Sequence, residues 1–70
     1  MPTNRYVILD LSRKPAVPDN PRLARGDWRN LPGRTIDVGN SIKAMREAVD
    51  SNPTTRDWSI WDRVKKSLTR

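Results

Sequence analysis

Residues 55 to 69 read TRDWSIWDRVKKSLT, and whether this stretch coils or extends decides the fold. With successive side chains turned by about 100° in a helix, Trp58, Trp61, Val64 and Leu68 share one sector and Ile60 lies at its margin. That stripe predicts a helix over 55–69 with its indoles turned inward, because apolar residues at helical spacing mark a core face. The opposite side carries Arg56, Ser59, Arg63, Lys66 and Arg70, a basic ridge about 21 Å long at the helical rise. Thr54 and Asp57 stand three apart ahead of it, as a variant of the capping box.

Upstream, Gly39, Asn40 and Ser41 supply a turn and an N-cap for a segment that is apolar at 42, 45, 48 and 49. A first helix is predicted over about 41–51. Pro53 closes it, since the residue before a proline is driven out of the helical region. The two helices form a C-terminal hairpin. On the first, Lys43 and Arg46 have acidic residues four positions on, whereas Arg56, Arg63 and Arg70 on the second do not. The ridge is therefore either a solvated face or a surface for an anion.

Residues 5 to 11, RYVILDL, are rich in β-branched and aromatic types and read as a strand. Alternation puts Val7, Leu9 and Leu11 on the core side and Tyr6, Ile8 and Asp10 on the other. A second strand is read over 34–38, with Ile36 and Val38 on one face and Thr35 and Asp37 on the other. The whole chain, 1–70, is thus predicted to be a single small α+β domain, a two-stranded sheet packed on the helical hairpin. Two strands make a marginal sheet with open edges, which predicts a homodimer or a subunit of a larger complex.

Residues 12 to 33 hold prolines at 15, 18, 21 and 32, a density that excludes long regular elements. Val17, Leu23, Trp28 and Leu31 recur through the stretch, so an ordered irregular loop is predicted. Pro32 and Gly33 fit the centre of a type II turn. Around Trp28 cluster Arg22, Arg25, Arg29 and Arg34. Either the indole plugs a groove between sheet and helices, or it stacks on bases while the arginines meet phosphates. Trp58 and Trp61 carry the same pair of readings, with core packing the one that helical spacing favours.

Fourteen Lys and Arg against eight Asp and Glu give a net charge of +6. That excess suits anionic partners. The chain has neither cysteine nor histidine, which excludes disulfides, zinc sites built on those residues and a histidine general base. The longest apolar run, Tyr6 to Leu9, is too short to span a bilayer, and no leader pattern opens the chain, so a soluble cytoplasmic protein is expected. Asp10 and Asp37 would approach each other if the strands pair. Without a third ligand or a nucleophile motif they read as polar positions on a sheet face. Neither enzyme nor metal nor cofactor is expected.

The function that follows is a non-enzymatic accessory protein contacting nucleic-acid backbone through Arg22, Arg25, Trp28, Arg29, Arg34, Arg56, Ser59, Arg63, Lys66 and Arg70. The alternative uses the same residues to dock, as an inhibitor or assembly subunit, on an acidic protein surface of a larger complex.

Overall fold

Extended chain, not helix, forms where the second helix is expected. The computed structural model describes residues 4–18, 20, 23, 26–51 and 57–69. They build a four-stranded antiparallel sheet from β1 (Tyr6–Asp10), β2 (Arg34–Gly39), β3 (Trp58–Asp62) and β4 (Ser67–Leu68), in the order β2-β1-β3-β4. The remaining elements are α1 (Ile42–Asp50) and a 3-10 turn over Gly26–Asn30. This replaces the expected two-stranded sheet on a helical hairpin.

The correction at the C-terminal end has a physical reason. The apolar run Trp58–Trp61 is too short for a helical period to decide its conformation, and tryptophan and isoleucine both favour a pleated surface. In the ladder with β1, Trp61 pairs with Val7, Ile60 with Ile8, and Trp58 with Asp10. Trp58 and Trp61 therefore point to opposite faces. Val64 and Leu68, which completed the helical stripe, are 69% and 41% exposed, while Ile60, placed at its margin, is fully buried. The basic ridge disappears with the helix. Pro53, Thr54 and Arg56 fall outside the described residues.

Turn chemistry holds the new hairpin together. The Asp62 carboxylate Oδ1 accepts from the backbone N–H groups of Val64 (2.9 Å) and Lys65 (3.2 Å), the local bonding that makes aspartate a turn residue. Lys66 completes the reversal at φ 54°, the left-handed region. Asp10 does the same at the end of β1, accepting from the Ser12 N–H at 3.0 Å and hydroxyl at 2.6 Å.

β1 is central and buries both of its faces. On one side Val7 and Leu9 cluster with Val38 and Leu31, under Leu23, Trp28 and Trp61. On the other, Ile8 and Ile60 cluster with Met45 and Val49 of α1, flanked by Trp58 and Ile36. The second face thus carries a helix, and the first carries the irregular loop. Leu11, expected on the core side, lies beyond the strand and is 40% exposed. Ile36 and Val38 join different clusters because the ladder shifts between Ile8 and Leu9, so that Ile8 meets Asp37 and Leu9 meets Thr35. Such a bulge resets the alternation of side chains.

Ser41 caps α1, its hydroxyl accepting from the Ala44 N–H at 3.2 Å. No described glycine has positive φ, which overturns the type II turn at Pro32-Gly33. Gly33 serves close approach: a Cβ there would stand 2.5 Å from the Asp10 carbonyl oxygen.

Candidate functional site

Among the described residues two clefts hold three of the residues singled out from the sequence, Arg63 and Lys66 in one and Arg34 in the other. The first, of about 390 Å³, is lined by Asp27, Asn30, Leu31, Trp61, Arg63 and Lys66. Arg63 is its spent cation. Its Nε donates to Asp27 Oδ2 at 2.8 Å and its Nη1 to the Asn4 carbonyl at 2.9 Å, with only 10% of the side chain exposed. An arginine held this way is a clasp between loop and sheet, not a free docking group. Lys65 and Lys66 are exposed on the hairpin turn above it.

Trp28 is half-buried and packs on the Val7 cluster. Arg29 is exposed, its guanidinium carbon 5.2 Å from the centre of the Trp28 ring. Ser59 is buried on β3, opposite Leu9, and is no surface residue. Arg22, Arg25, Arg56 and Arg70 lie outside the described residues.

Arg34 belongs to the second cleft, of about 430 Å³, which runs between Pro18 and Leu23 of the irregular loop and Arg34, Thr35 and Asp37 of β2. In the ladder Arg34 stands opposite Asp10, and its charge helps, after the Ser12 hydroxyl and the nearer Arg13, to hold the Asp10 carboxyl below the ordinary range. Arg13 bridges Asp10 at 3.5 Å. Asp10 and Asp37 are not neighbours across the ladder, and Asp37 Oδ1 accepts from the Val38 N–H at 2.8 Å. Each carboxylate is thus occupied within its own strand end.

A pair that sequence reasoning missed lies across the sheet. Arg5 donates from Nε (3.1 Å) and Nη2 (3.0 Å) to the carboxylate of Asp62, which is 2% exposed. The Arg5 guanidinium, then the Val64 and Lys65 amides, hold the Asp62 carboxyl below the usual carboxylate range against the cost of burial. Nothing in a single sequence couples positions so far apart.

Among the described residues, no group of three or more acidic, Cys or His side chains is placed to hold a metal ion, and no helix is long and apolar enough to cross a membrane. Comparison with protein-family models, with curated proteins and with solved structures finds no match.

Proposed function

We propose that this protein is a non-enzymatic accessory that docks on an acidic surface of a protein partner, as an inhibitor or assembly subunit. One observation carries the reading: β2 is the edge of the sheet, and among the described residues no strand flanks its outer side. An edge strand offers backbone donors and acceptors that another chain can satisfy. The bulge at Ile36 interrupts its regularity, which disfavours indiscriminate pairing and leaves selection to side chains. The surplus of positive charge steers an acidic partner towards it.

Since the chain has no cysteine, a single one is a unique handle. Asp37→Cys and Ala48→Cys, both at exposed positions, are each labelled with a bulky maleimide and used for nuclease-treated affinity capture. Capture of the same protein by the unlabelled chain and by the chain labelled at 48, with loss at 37, supports docking along β2. Capture that survives the label at 37 overturns it. A mass of twice the monomer by light scattering, lost on labelling at 37, identifies the occupant of the edge as a second copy.

A second reading, contact with nucleic-acid backbone, is favoured by exposed Lys66, which lines one cleft with Trp61, by exposed Lys65 next to it on the turn, and by Arg29 over Trp28. It requires binding that weakens steeply with salt and with Lys65→Gln and Lys66→Gln. Nuclease separates the two, since only this reading loses its captured material on digestion.

A further inference from the structure

We infer that the cleft over Trp61 is a nucleotide subsite, taking one unpaired base and its phosphate from single-stranded nucleic acid. It rests on the nucleic-acid reading above, names the ligand of that surface and is independent of docking along β2. Three kinds of lining group carry it. Trp61 packs against the Val7 cluster and still lines the cleft, with Leu31 as a second apolar lining residue. Asn30 and Lys66 line it too, and both are exposed. Among the described residues neither of these two side chains has a hydrogen-bond or ion-pair partner. The other two lining residues, Asp27 and Arg63, cancel each other's charge at 2.8 Å.

Strand register extends the apolar floor. Leu68 stands opposite Trp61 in the β3–β4 pair, so both side chains leave the same face of the sheet, and Leu68 is 41% exposed. The cleft, at about 390 Å³, lies within the range of about 300–1,000 Å³ usual for small-ligand sites.

The lining selects among anionic ligands. A carboxylate side chain uses the Lys66 ammonium and leaves the indole and the amide idle. An aromatic side chain uses the indole and leaves the cation idle. A nucleotide uses all three: its base stacks on an aromatic group, the base edge carries donors and acceptors that an Asn amide can match, and its phosphate meets an ammonium. In a duplex the base has first to be unpaired and unstacked, which a single strand does not require. Exposed Arg29 adjoins Asn30 in sequence and exposed Lys65 adjoins Lys66, so each polar lining residue has a basic neighbour for the next phosphates along a strand.

The probe is an oligothymidylate of about eight nucleotides, a length within the site size of a single-strand groove. It is titrated at low salt against the 15N-labelled protein and followed by amide and indole N–H shifts. We expect shifts centred on Asn30, Leu31, Trp61 and Lys66. Trp61→Leu should lower affinity about tenfold, the scale for one stacked base, whereas Trp61→Phe, which keeps a ring, retains most of it. Asn30→Ala should lower it about fivefold, as the loss of a neutral hydrogen bond implies. Lys66→Gln should make log affinity fall less steeply with log salt, by about 0.7, the share of one single-strand phosphate. Asn30 and Lys66 are exposed, so their variants report recognition without disturbing the core, and a folded spectrum of Trp61→Leu separates lost recognition from lost structure. Shifts centred on residues 34–37, or binding as tight for a DNA hairpin stem, for thymidine monophosphate or for an oligoglutamate of the same length, each overturns the subsite. Absence of binding ends the nucleic-acid reading with it. If salt-sensitive binding weakens with Lys65→Gln and Lys66→Gln but is unchanged in Trp61→Leu and Asn30→Ala, backbone contact stands and the nucleotide subsite fails.

Discussion

Arg63 and Asp27 meet at 2.8 Å across 36 residues of chain, joining the turn after β3 to the 3-10 turn that roofs one side of the sheet. The contact is charge-assisted and mostly shielded, with the Arg63 side chain 10% and the Asp27 side chain 32% exposed. Replacing Arg63 by Gln is expected to lower unfolding stability by about 2 kcal/mol, the scale for hydrogen bonds to charged groups. A double-mutant cycle with Asp27→Asn by urea denaturation should return a coupling well above that of surface pairs. A coupling near zero would mean that the loop is held by its indole alone.

Substitutions at 60 and 64 separate strand from helix. Ile60 is fully buried and Val64 is 69% exposed. Ile60→Ala should cost about 3 kcal/mol and Val64→Ser no more than about 0.5, by the scales for buried truncation and surface change. A helical C-terminal segment would reverse the order.

Lys66 occupies left-handed backbone at φ 54°, a region that costs a residue with a Cβ about 1 kcal/mol. Lys66→Gly relieves this and gives back part of it as chain entropy. The denaturation midpoint should rise, with an unchanged slope, by the equivalent of roughly 0.5 kcal/mol. A lower midpoint would contradict the turn geometry.

Two glycines should respond differently to alanine. At Gly33 a methyl group meets the backbone of Asp10, its carbonyl oxygen at 2.5 Å and carbon at 2.9 Å; at Gly39 it meets only the flexible end of Met45. Gly33→Ala is expected to lower the melting temperature clearly, by the equivalent of about 1–3 kcal/mol, and Gly39→Ala by much less. Equal losses would show that β1 and the chain before β2 do not approach so closely.

Acid should unfold the protein in a particular window. Asp62 and Asp10 both have folded-state carboxyl groups that titrate below the ordinary 3.8, Asp62 chiefly through Arg5 and Asp10 chiefly through the Ser12 hydroxyl. A depressed folded value means stability that is complete above the unfolded value and lost as pH falls through the folded one. The melting temperature should therefore be level near neutrality and drop below about pH 4. Asp62→Asn should start lower at neutral pH and show a shallower drop. An identical slope in this variant would remove Asp62 from the account.

What could be read from residues in order was local. The β-branched run at 6–10, the extended stretch at 34–39 and the Ser41 cap before α1 each announce themselves within a few positions. The C-terminal hairpin did not, because Trp58, Trp61, Val64 and Leu68 satisfy a helical period by coincidence and the reversal places a lysine, not a glycine, in the left-handed region. With no short turn signal after Asp62, the helical spacing and the capping-box variant at Thr54 and Asp57 argued for a helix. The candidate site was less legible still. Arg63 reads as a free cation until Asp27 is brought beside it, and the fate of Arg34 depends on a bulge that no residue type at 36 foretells. Tertiary pairing decided those cases, as it commonly does for strands.

β1 is one of the two inner strands, and its Ile8 meets Ile60 of the other, β3, across the ladder. The layer around Ile8 cannot close until β3 arrives, so a nascent chain keeps Ile8 without its cross-strand partner until residues 58–62 have been made. Loop closure of that length slows folding and lengthens the exposure of a sticky segment. Chaperone dependence and inclusion-body formation on rapid overproduction are the practical traits to look for when the gene is expressed.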